Sequence, residues 1–436
     1  MMYFPVTANN YNLHVTMHHF EYRNGEYYYE DVPLSRIASE VGTPFYCYSH
    51  STLTRHFEVF DKAFEDIPHI ICFAVKANSN IAVLRLFANH GGGADIVSGG
   101  ELYRAITAGV PPEKIVYAGV GKTREEIRQA LKTGILMFNV ESSKELLTID
   151  TVAAEMGVKA PVALRVNPDV DPQTHPYIST VLKENKFGIN YDAALEEYLQ
   201  ANQLENVEVI GVHKHIGSQI TQISPFVDAL EKTLALVRSL KGEGVNIRYI
   251  DMGGGLGITY KDEAPPHPTE LAEKVGPMLK ESGCTIVFEP GRVIVGNAGA
   301  LVTKVLYTKV NEGKTFFIVD AAMNDLARPS LYGSYQGIAP IAEEAIERKK
   351  VSADVVGPIC ESGDFLAKDR VLPSFRQGDL LAVMSAGAYG FTMSSNYNSR
   401  PRVAEVLVHG GQYDVIRTRE KVEDLIRGES IPSYLE

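Results

Sequence analysis

From Ile70 onward, short apolar runs alternate with stretches in which apolar residues recur every three or four positions. The runs are Ile70–Val75, Ala94–Val97, Ile115–Ala118, Ile135–Val140, Val162–Val166, Val207–His213, Tyr249–Met252 and Thr285–Phe288. Arg124–Lys132, Ser143–Met156, Phe226–Leu240 and Thr269–Glu281 carry the helical spacing between them. Eight strand-plus-helix units in about 230 residues match the arithmetic of a TIM (β/α)8 barrel. A doubly wound open sheet shares the alternation and is the competing arrangement.

Outside this region the pattern is β. Two aromatic-rich runs within Phe20–Tyr29 are split by Asn24-Gly25, a strong hairpin signal, and Phe45–Tyr48 reads as a strand leading to a helix over Ser51–Phe64. Beyond Gly299, strands are predicted at Leu301–Val310, Thr315–Val319, Asp354–Ile359, Asp379–Met384, Arg402–Val408 and Tyr413–Thr418. The expected fold is therefore a barrel over residues 51–299, with a second all-β domain built from the C-terminal part, 300–436, and the N-terminal segment, 1–50.

Composition narrows the class without naming a function. With 45% hydrophobic and 22% charged residues the chain belongs among globular proteins. Fifty-four acidic against 42 basic residues, net −12 and without a basic run, argue against wrapping nucleic acid, which depends on neutralising phosphates. Cys47, Cys72, Cys284 and Cys360 are scattered and form no C-x-x-C pair, so neither a metal site nor a disulfide framework is signalled. No apolar stretch approaches the ~18 residues of a membrane span, and the expected location is the cytoplasm.

In such a barrel, chemistry gathers where strands end. The strand-end residues are Lys76, Ser98-Gly99-Gly100, Asn167, His213 to Ser218, Gly253-Gly254-Gly255 and Glu289-Pro290-Gly291-Arg292. Lys76 closes a buried run; it is either the first residue to reach water or an amine poised to form an imine with a carbonyl. The glycine run reads as a tight turn or, with Ser218 and Gly291, as a cradle for an anion such as phosphate. His215 reads as an ordinary rim histidine or a ligand-facing one, and Glu289 with Arg292 as a structural ion pair or part of a site.

Taken together, Phe73-Ala74-Val75-Lys76-Ala77-Asn78, Gly93-Ala94-Asp95-Ile96-Val97-Ser98-Gly99-Gly100-Glu101, His215-Ile216-Gly217-Ser218-Gln219, the glycine run, Glu289-Pro290-Gly291-Arg292, Cys360-Glu361-Ser362-Gly363-Asp364 and Ala386-Gly387-Ala388-Tyr389-Gly390 closely resemble the diaminopimelate decarboxylase family. The resemblance runs from about Thr43 to Asp414 in unbroken order. It implies an alanine-racemase-like barrel that holds pyridoxal 5'-phosphate and releases carbon dioxide from meso-2,6-diaminopimelate to give L-lysine, the last step of lysine biosynthesis.

By the same resemblance, Lys76 binds the cofactor covalently, Glu289 faces its ring nitrogen and His215 stacks on the ring. Ser218, Gly255, Gly291, Arg292 and Tyr389 hold its phosphate, with Asp95 and Arg165 in supporting positions. Cys360 is the acid that reprotonates the product, supplied by the other subunit of a homodimer. Arg292, Arg328, Tyr332 and Tyr389 suit the remote end of the substrate, and Glu361 suits its ammonium.

Related ornithine decarboxylases carry Cys-Asp where this chain has Cys360-Glu361, and an aromatic pair where it has Val293-Ile294. Decarboxylation of ornithine, arginine or carboxynorspermidine, and non-catalytic binding of pyridoxal phosphate, are the competing functions. One departure from the family stands out: Val181 occupies a loop position that usually carries glycine, and a β-branched residue resists positive φ.

Overall fold

The computed structural model describes residues 18–170 and 186–436, so the departure at Val181 lies outside the described residues. All eight apolar runs are parallel strands: His69–Ala74, Gly93–Ile96, Ile115–Tyr117, Met137–Val140, Ala160–Asn167, Val207–His213, Tyr249–Asp251 and Thr285–Phe288. Each pairs with its neighbour, and the eighth pairs back onto the first, with Phe288 opposite Ile71, so the sheet closes into a barrel. The open-sheet alternative is thereby excluded.

Inside the barrel, Cys72, Val116, Met137, Ala163, Ile210 and Val287 form a buried layer contributed by six of the strands. Burying each of the larger of these side chains contributes about 1.5–3 kcal/mol. The helices between strands start where the sequence supplies a cap. Ser98 and Ser142 accept from the backbone amides of Glu101 and Glu145, and Thr123 forms a reciprocal capping box with Glu126. Gly134 and Gly157 end two of them in the left-handed conformation.

The chain resolves into two units, one of Thr54–Ile294 and one joining the residues up to Leu53 with Val295–Glu436. The second unit is built on a mixed sheet in which Phe45–Ser49 lies between the long strand Gly299–Asn311 and Ala404–His409. Its core gathers Phe20, Tyr29, Phe45, Cys47, Val302 and Val406, among others. Asn24 and Gly25 both take positive φ in the predicted hairpin.

Three features of this unit depart from the pattern. Leu34–Val41 is a helix. The strand expected over Asp354–Ile359 runs instead over Lys350–Val356, because Gly357-Pro358 stops it. Phe365–Pro373 is a strand that Lys368-Asp369-Arg370 disguise as a loop; it is an edge strand, and Asp369 takes φ 51° at an irregularity in the pairing.

Candidate active site

Seven of the predicted site residues lie in the barrel unit, at the C-terminal ends of its strands. Lys76 sits in a single 3-10 turn, Val75–Ala77, directly after the first strand, and is ion-paired with the fully buried Asp95 of the second. Burial and the charge of Glu289 push Asp95 up to about 7, against the pull of Lys76. Because the eighth strand lies against the first, Glu289 comes into the electrostatic field of Lys76 although 213 positions separate them in sequence.

Glu289 is 5% exposed; its Oε1 accepts from Asn139 Nδ2 at 3.1 Å, and its Oε2 lies 3.7 Å from His213 Nε2. Burial opposes its ionisation, but His213 and Lys76 outweigh burial and hold it below the ordinary carboxylate range. His215 is held well below the usual imidazole range by burial and then by Arg165, and is therefore neutral at pH 7. Its Nδ1 accepts from the amide of Gly254 at 3.2 Å, which fixes the ring against the glycine run.

The glycine run is bare because nothing else fits. A Cβ on Gly253, Gly254 or Gly255 would stand 2.5 Å from Lys214 O, 2.2 Å from Glu289 O and 2.4 Å from Gly217 O respectively, and Gly255 has φ +117°. Beside it, Arg292 Nη2 donates to Ser218 Oγ at 2.9 Å and Nη1 donates to the Tyr260 hydroxyl at 2.6 Å. Glu289 and Arg292 thus take separate partners, and the ion pair their spacing allowed does not form. Gly291 packs against Ala74 and Ala77, where an added Cβ would approach to 3.0 Å. Arg165 lies in a buried pair with Glu141 at 2.8 Å, its guanidinium over the Phe187 ring at 4.7 Å.

The other five predicted residues lie in the β-rich unit. Arg328 is buried at the start of the short helix Arg328–Tyr332, its guanidinium 5.8 Å from the centre of the Tyr332 ring. Ser330 Oγ donates to Gly363 O at 2.5 Å, which ties this helix to the turn carrying Cys360 and Glu361. Asp364 braces that turn by accepting from the amides of Ile359 and Met323, each at 2.8 Å. Cys360 is exposed and its amide donates to Asn398 Oδ1, while Glu361 Oε2 accepts from the Tyr397 hydroxyl at 2.8 Å. Tyr389 takes φ 55°, an unusual conformation for an aromatic residue.

Sequence reasoning left four participants unassigned: Asn139, His213, Asp251 and Tyr260. Asn139 and Asp251 had a signal, since each is a polar residue inside an apolar strand, where an unpaired polar group is costly. Tyr260 carried none, because its loop has no periodicity.

A buried carboxylate, a neutral histidine and a lysine share one field at the strand ends, beside an amide-lined cradle flanked by a serine and an arginine. This donor set fits pyridoxal 5'-phosphate: an amine to bind its carbonyl, an acid for its ring nitrogen, and backbone and cationic donors for its phosphate. Residues 50–296 match the family described as pyridoxal-dependent decarboxylase, pyridoxal binding domain. The chain is a pyridoxal-phosphate-dependent carboxy-lyase of this family.

Within it the chain belongs to the diaminopimelate decarboxylases. It is 55% identical over 412 residues to the diaminopimelate decarboxylase of Pseudomonas aeruginosa, covering 94% of this chain and 99% of that protein. Among solved structures it resembles the Helicobacter pylori diaminopimelate decarboxylase complexed with L-lysine, with TM-score 0.87, 44% identity and coverage of 90% and 98% of the two chains. The M. jannaschii enzyme in co-complex with L-lysine gives TM-score 0.90, 39% identity and coverage of 96% and 99%. Among the described residues no helix is long and apolar enough to cross a membrane.

Proposed function

We propose that the chain decarboxylates meso-2,6-diaminopimelate to L-lysine and carbon dioxide, with Lys76 as the point of cofactor attachment. The observation that supports it most is the placing of Lys76, the buried Glu289 and the neutral His215 in one field beside the glycine cradle. Pyridoxal phosphate, when bound, supplies a reactive carbonyl and a conjugated ring that accepts the electron pair left by a departing carboxylate.

The chain's own groups do the rest. The Lys76 amine holds the cofactor, and Glu289, kept ionised, retains a proton at the ring nitrogen. His215 covers one ring face without adding charge. Ser218, Gly255, Gly291, Arg292 and Tyr389 grip the phosphate. Arg292, Arg328, Tyr332 and Tyr389 orient the substrate's remote carboxylate and Glu361 its ammonium, so that the bond to be broken is held in one orientation. Cys360 returns a proton to the carbon that lost its carboxylate. In this reading Cys360 comes from the partner in a homodimer, the barrel and β domains divide near residues 50 and 300, and the enzyme works in the cytoplasm.

The test is carbon dioxide release from diaminopimelate, ornithine, arginine and carboxynorspermidine, together with the visible absorbance of the purified protein. Diaminopimelate is expected to be strongly preferred and Lys76→Ala to abolish covalent attachment. Preference for ornithine or arginine would sink the substrate assignment.

A further inference from the structure

Two carboxyls meet at one amide beneath the strand ends. Asn139 Nδ2 donates to Asp251 Oδ2 at 2.8 Å and to Glu289 Oε1 at 3.1 Å. Asn139 and Asp251 are completely buried. His213, 1% exposed, has neither ring nitrogen in a hydrogen bond among the described residues, and its Nε2 lies 3.7 Å from Glu289 Oε2. Asp251 Oδ1 accepts from the amide of Gly253 at 2.9 Å. Among the described residues, the titratable groups around Asp251 are Glu289 just after the eighth strand, His213 at the end of the sixth and Lys214 just after it, and Cys72 from the first.

Two carboxylates this close, away from water, do not both ionise without large cost, so the pair keeps a proton between them. Glu289 has the stronger claim to the charge, since Lys76 and His213 lie in its field. Asp251 receives only neutral hydrogen-bond donors, from Gly253 and Asn139.

We infer that Asp251 is a neutral carboxylic acid in the working protein and that Asp251 and Asn139 are positioning residues, confining a single negative charge to Glu289 and fixing where that carboxylate points. This rests on the reading that Glu289 faces the cofactor's ring nitrogen. Burial, and then Glu289, hold the Asp251 carboxyl well above the ordinary range, in agreement with the geometry. The consequence is chemical: one charge, rather than two, sets how firmly the ring nitrogen keeps its proton.

The decisive experiment uses cofactor-free protein carrying carbon-13-labelled aspartate carboxyls, compared by infrared spectroscopy with Asp251→Asn. At about pH 7, where the bands of Asp95 and Asp325 are common to both proteins and cancel in the difference, the wild type is expected to show a protonated-carboxyl stretch that the variant lacks. A difference spectrum containing only carboxylate bands overturns the inference. In the cofactor-loaded protein, Asn139→Ala is expected to shift the pH at which the visible absorbance changes by about one unit; an unshifted profile in a normally folded variant overturns the positioning role. A loaded sample without cofactor absorbance would sink the reading of the site itself, and the infrared result would still decide Asp251.

Discussion

Lys214 follows His213 and is 1% exposed, and among the described residues its ammonium finds no hydrogen-bond partner. Burial drives its pKa down from 10.5 to about 8. At about 1.4 kcal/mol per pH unit, that drop means that holding the lysine charged in the fold costs about 3 kcal/mol at neutral pH. Methionine keeps the unbranched shape without the charge. Lys214→Met is therefore expected to stabilise the cofactor-free protein by about 3 kcal/mol at pH 7, or about 6 °C or more in Tm for a barrel of this size. The sign follows from the folded pKa being the lower one. The penalty is complete below about pH 8, fades as the folded lysine loses its proton while the unfolded one keeps it, and is gone above about 10.5, where both are neutral. Urea unfolding of both proteins at pH 7 and near pH 10.5 measures it. Destabilisation at pH 7, or an equal effect at both pH values, would refute the reasoning.

Gly254→Ala is expected to cost about 3 kcal/mol and to weaken cofactor binding, because its Cβ would stand 2.2 Å from the Glu289 carbonyl; thermal unfolding and cofactor titration read the two effects. Cys360→Ala should leave cofactor absorbance intact while slowing turnover at least about 100-fold; unchanged turnover would remove Cys360 from the chemistry. Asp325 is pushed up to about 7, chiefly by burial, so the stability it contributes is present below about pH 4 and lost as pH rises toward 7. The Tm of the cofactor-free protein should accordingly fall between about pH 4 and 7, with a smaller fall in Asp325→Asn; equal slopes would count against a raised Asp325.

The barrel was legible because each strand is a short apolar run and each long helix keeps its spacing, as Ser143–Met156 shows by matching its predicted limits. The β-rich unit was legible only where its strands are buried. Leu34–Val41 has too few turns to establish a period, and Phe365–Pro373 places three charges on an exposed edge, so neither announces itself. In the site, Lys76, His215, Glu289 and the glycines were found because they end strands. Asn139 lies before the end of its strand, and Asp251 is the last residue of its strand, inside a run that read as apolar, so neither stood out as a rim residue.

Closure of the barrel explains why these unassigned residues matter. Pairing of the eighth strand with the first brings Glu289 toward Lys76, and pairing of the first with the second brings Asp95 to the same lysine. The rim thereby collects two acids around one amine, and Asp251 adds a third beneath. A buried charge without a partner costs several kcal/mol, so this grouping is tolerable only if some carboxyls stay protonated. Asp251, held well above the ordinary carboxylate range, meets that condition; Asp95, near 7, is paired with Lys76, and Glu289 is the ionised member of the buried pair. The same fold that gathers the site's chemistry therefore also decides which of its acids carries the charge.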